Sequence, residues 1–267
     1  MPASLFTLLT SLLGSAAAPV PAITPTTGHY QPAADVTWQV QLQGTPNTGY
    51  DAALYVLDLF DTDPAVITDL HAQGRRLICY FSAGTFENWR DDASRFTAAD
   101  KGRRLGDWPG ERWLDIRSAN VRAIMTDRLD LAVQRGCDGV DPDNVDGYSN
   151  RTGLPLTYQD QIDYNTWLAT EAHQRGLAIS LKNDLGQIDD LVAHFDFAIN
   201  ESCHQWDECE LLTPFIAAGK PVLHIDYLYA GDAQGRQQLC QQTGALGFRT
   251  LTLPPLLDGS FRYSCAP

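Results

Sequence analysis

The stretch Gly139-Val140-Asp141-Pro142-Asp143-Asn144-Val145-Asp146 begins like a core strand and ends in a run of carboxylates. Alternate residues of a strand face the same side, so Asp141 and Asp143 share one face. A polar surface turn is the alternative, because Pro and Asn favour turns. A calcium loop of the EF-hand type is excluded, since Val145, Asp146 and Thr152 stand where that pattern needs other residues. The stretch predicts a strand that delivers carboxylates to a site at its C-terminal end.

Seven further runs of β-rich apolar residues flank this stretch. With it, the predicted strands are Trp38 to Leu42, Leu54 to Phe60, Arg76 to Ser82, Gly139 to Val145, Ala178 to Asn183, Phe197 to Ser202, Val222 to Tyr227 and Phe248 to Leu253. Helical patterns lie between them, such as 63–72, 120–135 and 158–175, and each ends near a glycine.

Eight strands alternating with helices, over about 240 residues, predict an α/β protein with a (β/α)8 TIM barrel. A doubly wound open sheet is the alternative. Neither GxGxxG nor a Walker pattern follows any predicted strand, so the usual nucleotide sites are absent. In a barrel the active site lies at the C-terminal ends of the strands.

Composition limits the class of protein and of partner. The 267 residues are 44% hydrophobic, which suits one large core, so we expect a single domain over residues 23–267. Acidic residues number 33 against 19 Lys and Arg, a net charge of −14. Nucleic acids and anionic membranes need basic surfaces, so both are excluded as partners, and a cationic ligand is favoured.

Residues 1–22 resemble a signal peptide. An apolar run from Leu5 to Leu13 leads into small residues, and the run is too short to span a bilayer. The segment before the run has no basic side chain, so a disordered N-terminus is the alternative. We expect a secreted, extracellular protein, and a monomer.

The chain has six cysteines, which permit fifteen pairings. Cys203 and Cys209 can close a small loop, and Cys240 can tie the last helix to Cys265, which leaves Cys79 with Cys137. Buried free thiols are the alternative, above all for Cys79 within an apolar strand. No CxxC, HxH or HExxH spacing occurs, so no metal site is expected.

Polar residues follow the predicted strands. Glu201, at the end of the sixth strand, is the natural second carboxylate beside those of the fourth. Two carboxyl groups and sugar-stacking aromatic rings are what a glycosidase requires. The expected substrate-binding residues are Trp38, Asp58, Tyr80, Asp141, Asn144, Lys182 and Asp226. We assign no role to His224.

Five motifs together resemble those of glycoside hydrolase family 114, the endo-α-1,4-polygalactosaminidases. They are Cys79 to Gly84 with Glu87 and Trp89-Arg90, Trp113 to Arg117, Asp138 to Asp146, Leu181 to Asn183, and Asn200-Glu201. The resemblance runs from about Trp38 to the C-terminus. It implies a barrel that cuts α-1,4-linked galactosamine polymers without a cofactor, and such a polymer is cationic.

The resemblance also implies roles for two carboxyl groups. Asp143 occupies the place of the nucleophile and Glu201 that of the acid/base, with retention of configuration. Many members have Glu where this chain has Asp141, so either fourth-strand acid can be the nucleophile. Lys182 would neutralise Asp143 and keep it ionised.

Two other functions remain open from the sequence. One is an α-glycosidase that acts on a neutral polysaccharide, since two carboxylates in a barrel do not specify the sugar. The other is a secreted carbohydrate-binding barrel without turnover.

Overall fold

The computed structural model describes residues 28–106 and 108–265. The predicted signal peptide therefore lies outside the described residues. The strands are β1 Trp38–Gln41, β2 Leu54–Asp58, β3 Arg76–Ser82, β4 Thr85–Glu87, β5 Lys101–Arg104, β6 Glu111–Leu114, β7 Gly139–Asp143, β8 Ala178–Lys182, β9 Phe197–Glu201, β10 Val222–Asp226, β11 Arg249–Thr252 and β12 Tyr263–Ser264. The α-helices are α1 Pro64–Ala72, α2 Ala119–Arg135, α3 Tyr158–Gln174, α4 Ile188–Leu191, α5 Cys203–Trp206, α6 Thr213–Ala217 and α7 Ala233–Ala245.

Eight parallel strands form one curled sheet in the order β1-β2-β3-β7-β8-β9-β10-β11, and β12 adds to β11 in the antiparallel direction. Each of the eight lies within a strand predicted from the sequence. Neighbours along the chain are neighbours in the sheet, whereas a doubly wound sheet reverses its strand order. The predicted barrel class of α/β fold is confirmed.

Side chains alternate between two apolar layers. Val56 of β2 and Ile199 of β9 belong to a cluster inside the curl of the sheet. Tyr55 and Ala198, their neighbours in sequence, belong to the cluster packed under the helices. This period of two decides which strand residues can reach a site at the mouth of the barrel.

The long helices begin and end where local chemistry predicts. Thr157 and Asp160 form a capping box at the start of α3, and the Ser118 hydroxyl accepts the Val121 N–H at the start of α2. After α2, Gly136 adopts φ +84°, a left-handed conformation that glycine tolerates best.

The structure departs from a regular barrel in two connections. Residues 42–53, all of them described, contain no helix between β1 and β2. Between β3 and α2 the chain forms a separate antiparallel sheet in the order β4-β6-β5, which the sequence did not predict. We refer to residues 85–114 as the insertion.

Side chains join the two edges of the main sheet. In the described residues the hydrogen-bonded ladder stops at β1 on one side and at β12 on the other. Arg262 spans this seam, because its Nη2 donates to the Trp38 carbonyl at 2.9 Å and its Nε to Gln39 Oε1 at 2.7 Å. Trp38 Nε1 donates to the Arg249 carbonyl at 2.8 Å.

All three predicted disulfides are present. They join Cys79 to Cys137, Cys203 to Cys209 and Cys240 to Cys265. Three disulfides are typical of proteins that fold in an oxidising compartment. Within the described residues, no helix combines the length and the apolar character needed to cross a bilayer.

Candidate active site

A cavity of about 620 Å³ opens at the C-terminal ends of the parallel strands, where the barrel class predicts the active site. Strand ends form its floor, and the insertion forms one wall. Six predicted site residues line it: Asp58, Tyr80, Asp143, Asn144, Lys182 and Glu201. The predicted pair of carboxylates therefore faces one space.

Lys182 lies between the two carboxylates. Its Nζ is 3.2 Å from Asp143 Oδ1 and 3.2 Å from Glu201 Oε2. The Lys182 side chain is buried, which on its own would lower its pKa. Asp143, Glu201 and Asp141 instead raise this pKa well above its usual value. The amine is therefore a fixed positive charge.

Two tyrosines complete the contacts of these carboxylates. Tyr80 Oη donates to Asp143 Oδ2 at 2.8 Å, and Tyr227 Oη donates to Glu201 Oε1. Burial, and then the adjacent carboxylate, raise the pKa of each phenol well above 10. Both phenols are therefore protonated donors near neutral pH. Asn183 Nδ2 also donates to Glu201, at 3.3 Å.

Asp141 lies one layer below Asp143. It faces the same side of β7, but it is 2% exposed and does not line the cavity. Ser180 donates a hydrogen bond to it. Burial, opposed by Lys182, raises the pKa of Asp141 to about 6. Of the two fourth-strand acids, only Asp143 reaches the cavity.

The chain turns sharply after Asp143. Asn144 has φ +60°, and its Nδ2 donates to Ser82 Oγ at 3.0 Å. The backbone amides of Ala83 and Gly84 donate to the Asp143 carbonyl at 2.9 and 3.0 Å. These bonds fix β3 against β7 at the point where Asp143 enters the cavity.

Asp58 is paired within the protein. Arg90 donates to both of its oxygens, at 3.0 and 2.7 Å, and the backbone amides of Phe60 and Asp61 add two bonds. A carboxylate with all these donors has little capacity left for a ligand. The structure therefore places Asp58 in the wall of the cavity, where it anchors Arg90.

Besides Asp141, two further predicted binding residues do not line the cavity. Trp38 points inward, but it stands at the beginning of β1, and Leu42 on the same face reaches the cavity instead. In β10, Leu223 and Ile225 belong to the inner cluster, so Asp226 faces the helices and Tyr227 takes the inward position. Trp38 and Asp226 therefore lie outside the cavity lining, and a contact of either with substrate stays a prediction.

The insertion contributes cavity residues to which sequence reasoning gave no role. They are Glu87, Trp89, Arg90, Leu105, Trp108, Glu111 and Trp113. Trp89 and Trp108 are each about half exposed. The available signal was the concentration of Trp and Glu between β3 and α2.

In the described part of the chain, groups of residues with metal-ligand spacing lie outside the cavity. One group comprises Cys203, Cys209 and His224, but these cysteines are joined to each other. The other comprises His29, His173 and Asp196, at the opposite end of β9 from Glu201. There the two imidazole rings stack in parallel and both contact the Asp196 carboxylate. A single ion cannot lie in both parallel ring planes.

Known proteins resemble this chain in sequence and in fold. Ega3 of Aspergillus fumigatus, solved in complex with galactosamine, is 43% identical, with a TM-score of 0.85 over 90% of this chain and 99% of that one. The glycoside hydrolase domain of PelA from Pseudomonas aeruginosa is 18% identical and shares the fold, with a TM-score of 0.71 over 84% of this chain and 97% of that one. An uncharacterized protein of Deinococcus radiodurans is 28% identical over 71% of each chain.

The model of glycoside-hydrolase family GH114 matches residues 20–266. This match covers nearly the whole chain and includes every residue that lines the cavity. The protein belongs to glycoside-hydrolase family GH114 and is a glycoside hydrolase.

Proposed function

We propose that this protein is a secreted, retaining endo-α-1,4-galactosaminidase in which Asp143 is the nucleophile and Glu201 the acid/base. The observation that carries the proposal is the shared contact with Lys182. Asp143 Oδ1 and Glu201 Oε2 are each 3.2 Å from the same nitrogen, so these oxygens are at most twice that distance apart. Retaining enzymes hold their carboxyl groups about 5 to 5.5 Å apart, and inverting enzymes about 6.5 to 9.5 Å.

The contacts of each carboxylate suit its role. Asp143 is held by Lys182 and by Tyr80, which fix its carboxylate in place for attack on the anomeric carbon. Glu201 protonates the departing glycosidic oxygen, and afterwards it takes a proton from the water that hydrolyses the glycosyl-enzyme. Lys182 remains positive through both steps, so it offsets whichever carboxylate is charged.

Charge and likeness support the substrate. Galactosamine bound to Ega3 is an amino sugar, and a deacetylated galactosamine polymer carries ammonium groups near neutral pH. This chain has a net charge of −14 and a cavity lined by carboxylates, which attract such a polymer. The half-exposed Trp89 and Trp108 offer faces on which sugar rings stack. The three disulfides support secretion.

The test is release of reducing ends from partly deacetylated α-1,4-galactosaminan. Wild type is compared with Asp143→Asn, Glu201→Gln and, as a matched control, Glu210→Gln on the exposed surface outside the cavity. We expect wild type and control to cut, and both site variants to lose at least about 1,000-fold in rate while they stay folded. Proton NMR of the first product should show the α-anomer.

Three results would contradict the proposal. Binding of the polymer without cleavage by wild type would indicate a carbohydrate-binding barrel. Equal cleavage of a neutral α-linked polymer would remove the substrate assignment. A β-anomer as first product would exclude retention.

A further inference from the structure

Glu87 and Glu111 face each other across two strands of the insertion. Glu87 of β4 is the direct partner of Glu111 of β6 in the antiparallel ladder, and both line the cavity. They are 3% and 7% exposed. Like charges directly opposite each other destabilise a sheet, and burial increases the cost. A pair of this kind calls for a cation between or beside the two carboxylates.

The cations of the described residues do not meet this demand. Arg90 and Arg128 are the guanidinium groups around Glu87, but they also serve Asp58, Asp61 and Asp92. When Glu87 and Glu111 are counted with these three Asp residues, two guanidinium groups therefore face five carboxylates. Glu87 Oε1 is 2.9 Å from Arg90, but Glu87 Oε2 is buried without a hydrogen bond and lies 3.7 Å from Arg128.

Glu111 forms no ion pair in the described part of the chain. Its Oε2 accepts the Thr85 hydroxyl at 2.7 Å, and no Lys, Arg or His forms an ion pair with it. Burial raises the pKa of Glu111 to about 7, the charges of Glu87 and Asp143 act in the same direction, and the Thr85 hydrogen bond and the charge of Arg90 oppose them. A cation entering the cavity would favour the ionised form.

We infer that the Glu87–Glu111 pair is a binding site for the ammonium group of an amino sugar, and that Glu111 contacts this group directly. The site would select a deacetylated galactosamine unit over an N-acetylated or neutral one, so the inference rests on the proposed function and adds a specificity-determining residue to it. Trp89 and Trp108, on the same insertion, supply a face for the ring of that sugar.

The test compares Glu111→Gln with wild type on two matched oligosaccharides, one fully deacetylated and one fully N-acetylated. Gln keeps the shape and the acceptor for Thr85 but removes the charge. A hydrogen bond to a charged group is worth about 10- to 100-fold in affinity. We expect kcat/KM on the deacetylated substrate to fall by that factor through KM, with little change on the acetylated one. Glu111→Asp keeps the charge and should retain part of the preference.

Glu210→Gln serves as the control, because it removes the same charge from the exposed surface away from the cavity. An unchanged preference for the deacetylated substrate in Glu111→Gln would overturn the inference. So would an equal loss of kcat on both substrates, which would indicate a role in proton transfer.

Binding of the deacetylated oligosaccharide, measured by calorimetry in a Glu201→Gln background, tests the site without cleavage. Weaker binding on adding Glu111→Gln supports the ammonium site, and equal binding rejects it. Failure of wild type to cut any galactosaminan refutes the proposed function but leaves this binding comparison decisive for Glu111.

Discussion

Gly84 and Asn144 approach each other so closely that no side chain fits between them. A Cβ atom on Gly84 would lie 1.6 Å from the Asn144 carbonyl oxygen and 2.6 Å from the Asn144 carbonyl carbon. Both obstructing atoms are backbone, so they cannot rotate aside. The residue opposite Gly84 directly follows Asp143, and thus a glycine between β3 and β4 sets the position of the carboxylate at the end of β7.

We expect Gly84→Ala to move Asn144 and Asp143 away from β3. The amide bonds to the Asp143 carbonyl would break, and a shift of about 1 Å at a catalytic group costs on the order of 100-fold in rate. The matched change is Gly244→Ala, near the end of helix α7, where a Cβ meets nothing within 4 Å and should leave both activity and stability close to wild type. Reducing-end assays and thermal melts check both; full activity in Gly84→Ala would contradict the prediction.

Lys182→Met should change the pH profile as well as the rate. Without the ammonium group, Asp141, Asp143 and Glu201 repel one another, so one of them holds a proton to higher pH. The acidic limb of kcat/KM is expected to move to higher pH, with a loss of about 100-fold below it. Lys182→Arg keeps the positive charge, so the acidic limb of its kcat/KM profile should stay where it is in wild type. A uniform loss in Lys182→Met at every pH would indicate a packing defect instead.

Tyr80→Phe removes the hydrogen bond to Asp143 and leaves the ring in place. Bonds to charged groups are worth about 1.5 to 3 kcal/mol, so we expect kcat to fall about 10- to 100-fold. Tyr158→Phe is the control, because Tyr158 donates to Asp190 at 2.6 Å on the exposed surface. Rates within twofold of wild type in Tyr80→Phe would show that this bond does not support the reaction.

Asp184 should make the protein less stable as the pH rises. Burial and the charge of Asp146 raise its pKa to about 9, against 3.8 as the ordinary value. The folded state therefore keeps a proton that the unfolded chain has lost. This bound proton stabilises the folded state fully below about pH 4. Above that pH the stabilisation falls by up to about 1.4 kcal/mol per pH unit, until it is lost near pH 9.

The Asp184→Asn variant tests this sign. Asn keeps the acceptor for Asn165 and tolerates the left-handed backbone of φ +49°. Urea unfolding at pH 5, 7 and 8.5 should give a flatter dependence than in wild type, and Asp189→Asn, on the exposed side of α4, should leave it unchanged. Parallel curves for wild type and Asp184→Asn would refute the assignment.

The disulfides should differ in their contribution to stability. The Cys79–Cys137 disulfide joins residues 58 positions apart, whereas the Cys203–Cys209 disulfide joins residues only 6 positions apart. Loop entropy gives about 4 kcal/mol for the first and about 2 kcal/mol for the second. Replacing each pair by alanines and measuring the free energy of unfolding checks the order. A larger loss from the short loop would show that loop entropy does not govern these bonds.

The parallel strands were predictable because their signal is local. Each strand carries an apolar run and ends in polar residues. The C-terminal ends of the strands of a barrel meet at one face, whatever the structure of the connections between them. Asp143, Glu201 and Lys182 were found in this way. The period of two also placed Asp141 and Asp143 on one face, although it could not tell which of them reaches the cavity.

Other parts of the site depend on packing between elements, which the sequence of a single strand does not reveal. Asp226 and Tyr227 are adjacent polar residues at the end of β10, and either could point inward. Only the contacts of Leu223 and Ile225 with the inner cluster decide that Tyr227 does. The pairing of Glu87 with Glu111 needs a register between strands 24 positions apart, with no apolar alternation to fix it.

The seam held by Arg262 has a consequence for how the protein is made. Trp38 and Gln39 leave the ribosome more than two hundred residues before the side chain that bonds them. Until then the free edge of β1 can pair with another chain, as open sheet edges do. Synthesis therefore includes a long interval in which an almost complete sheet has one edge open to pairing.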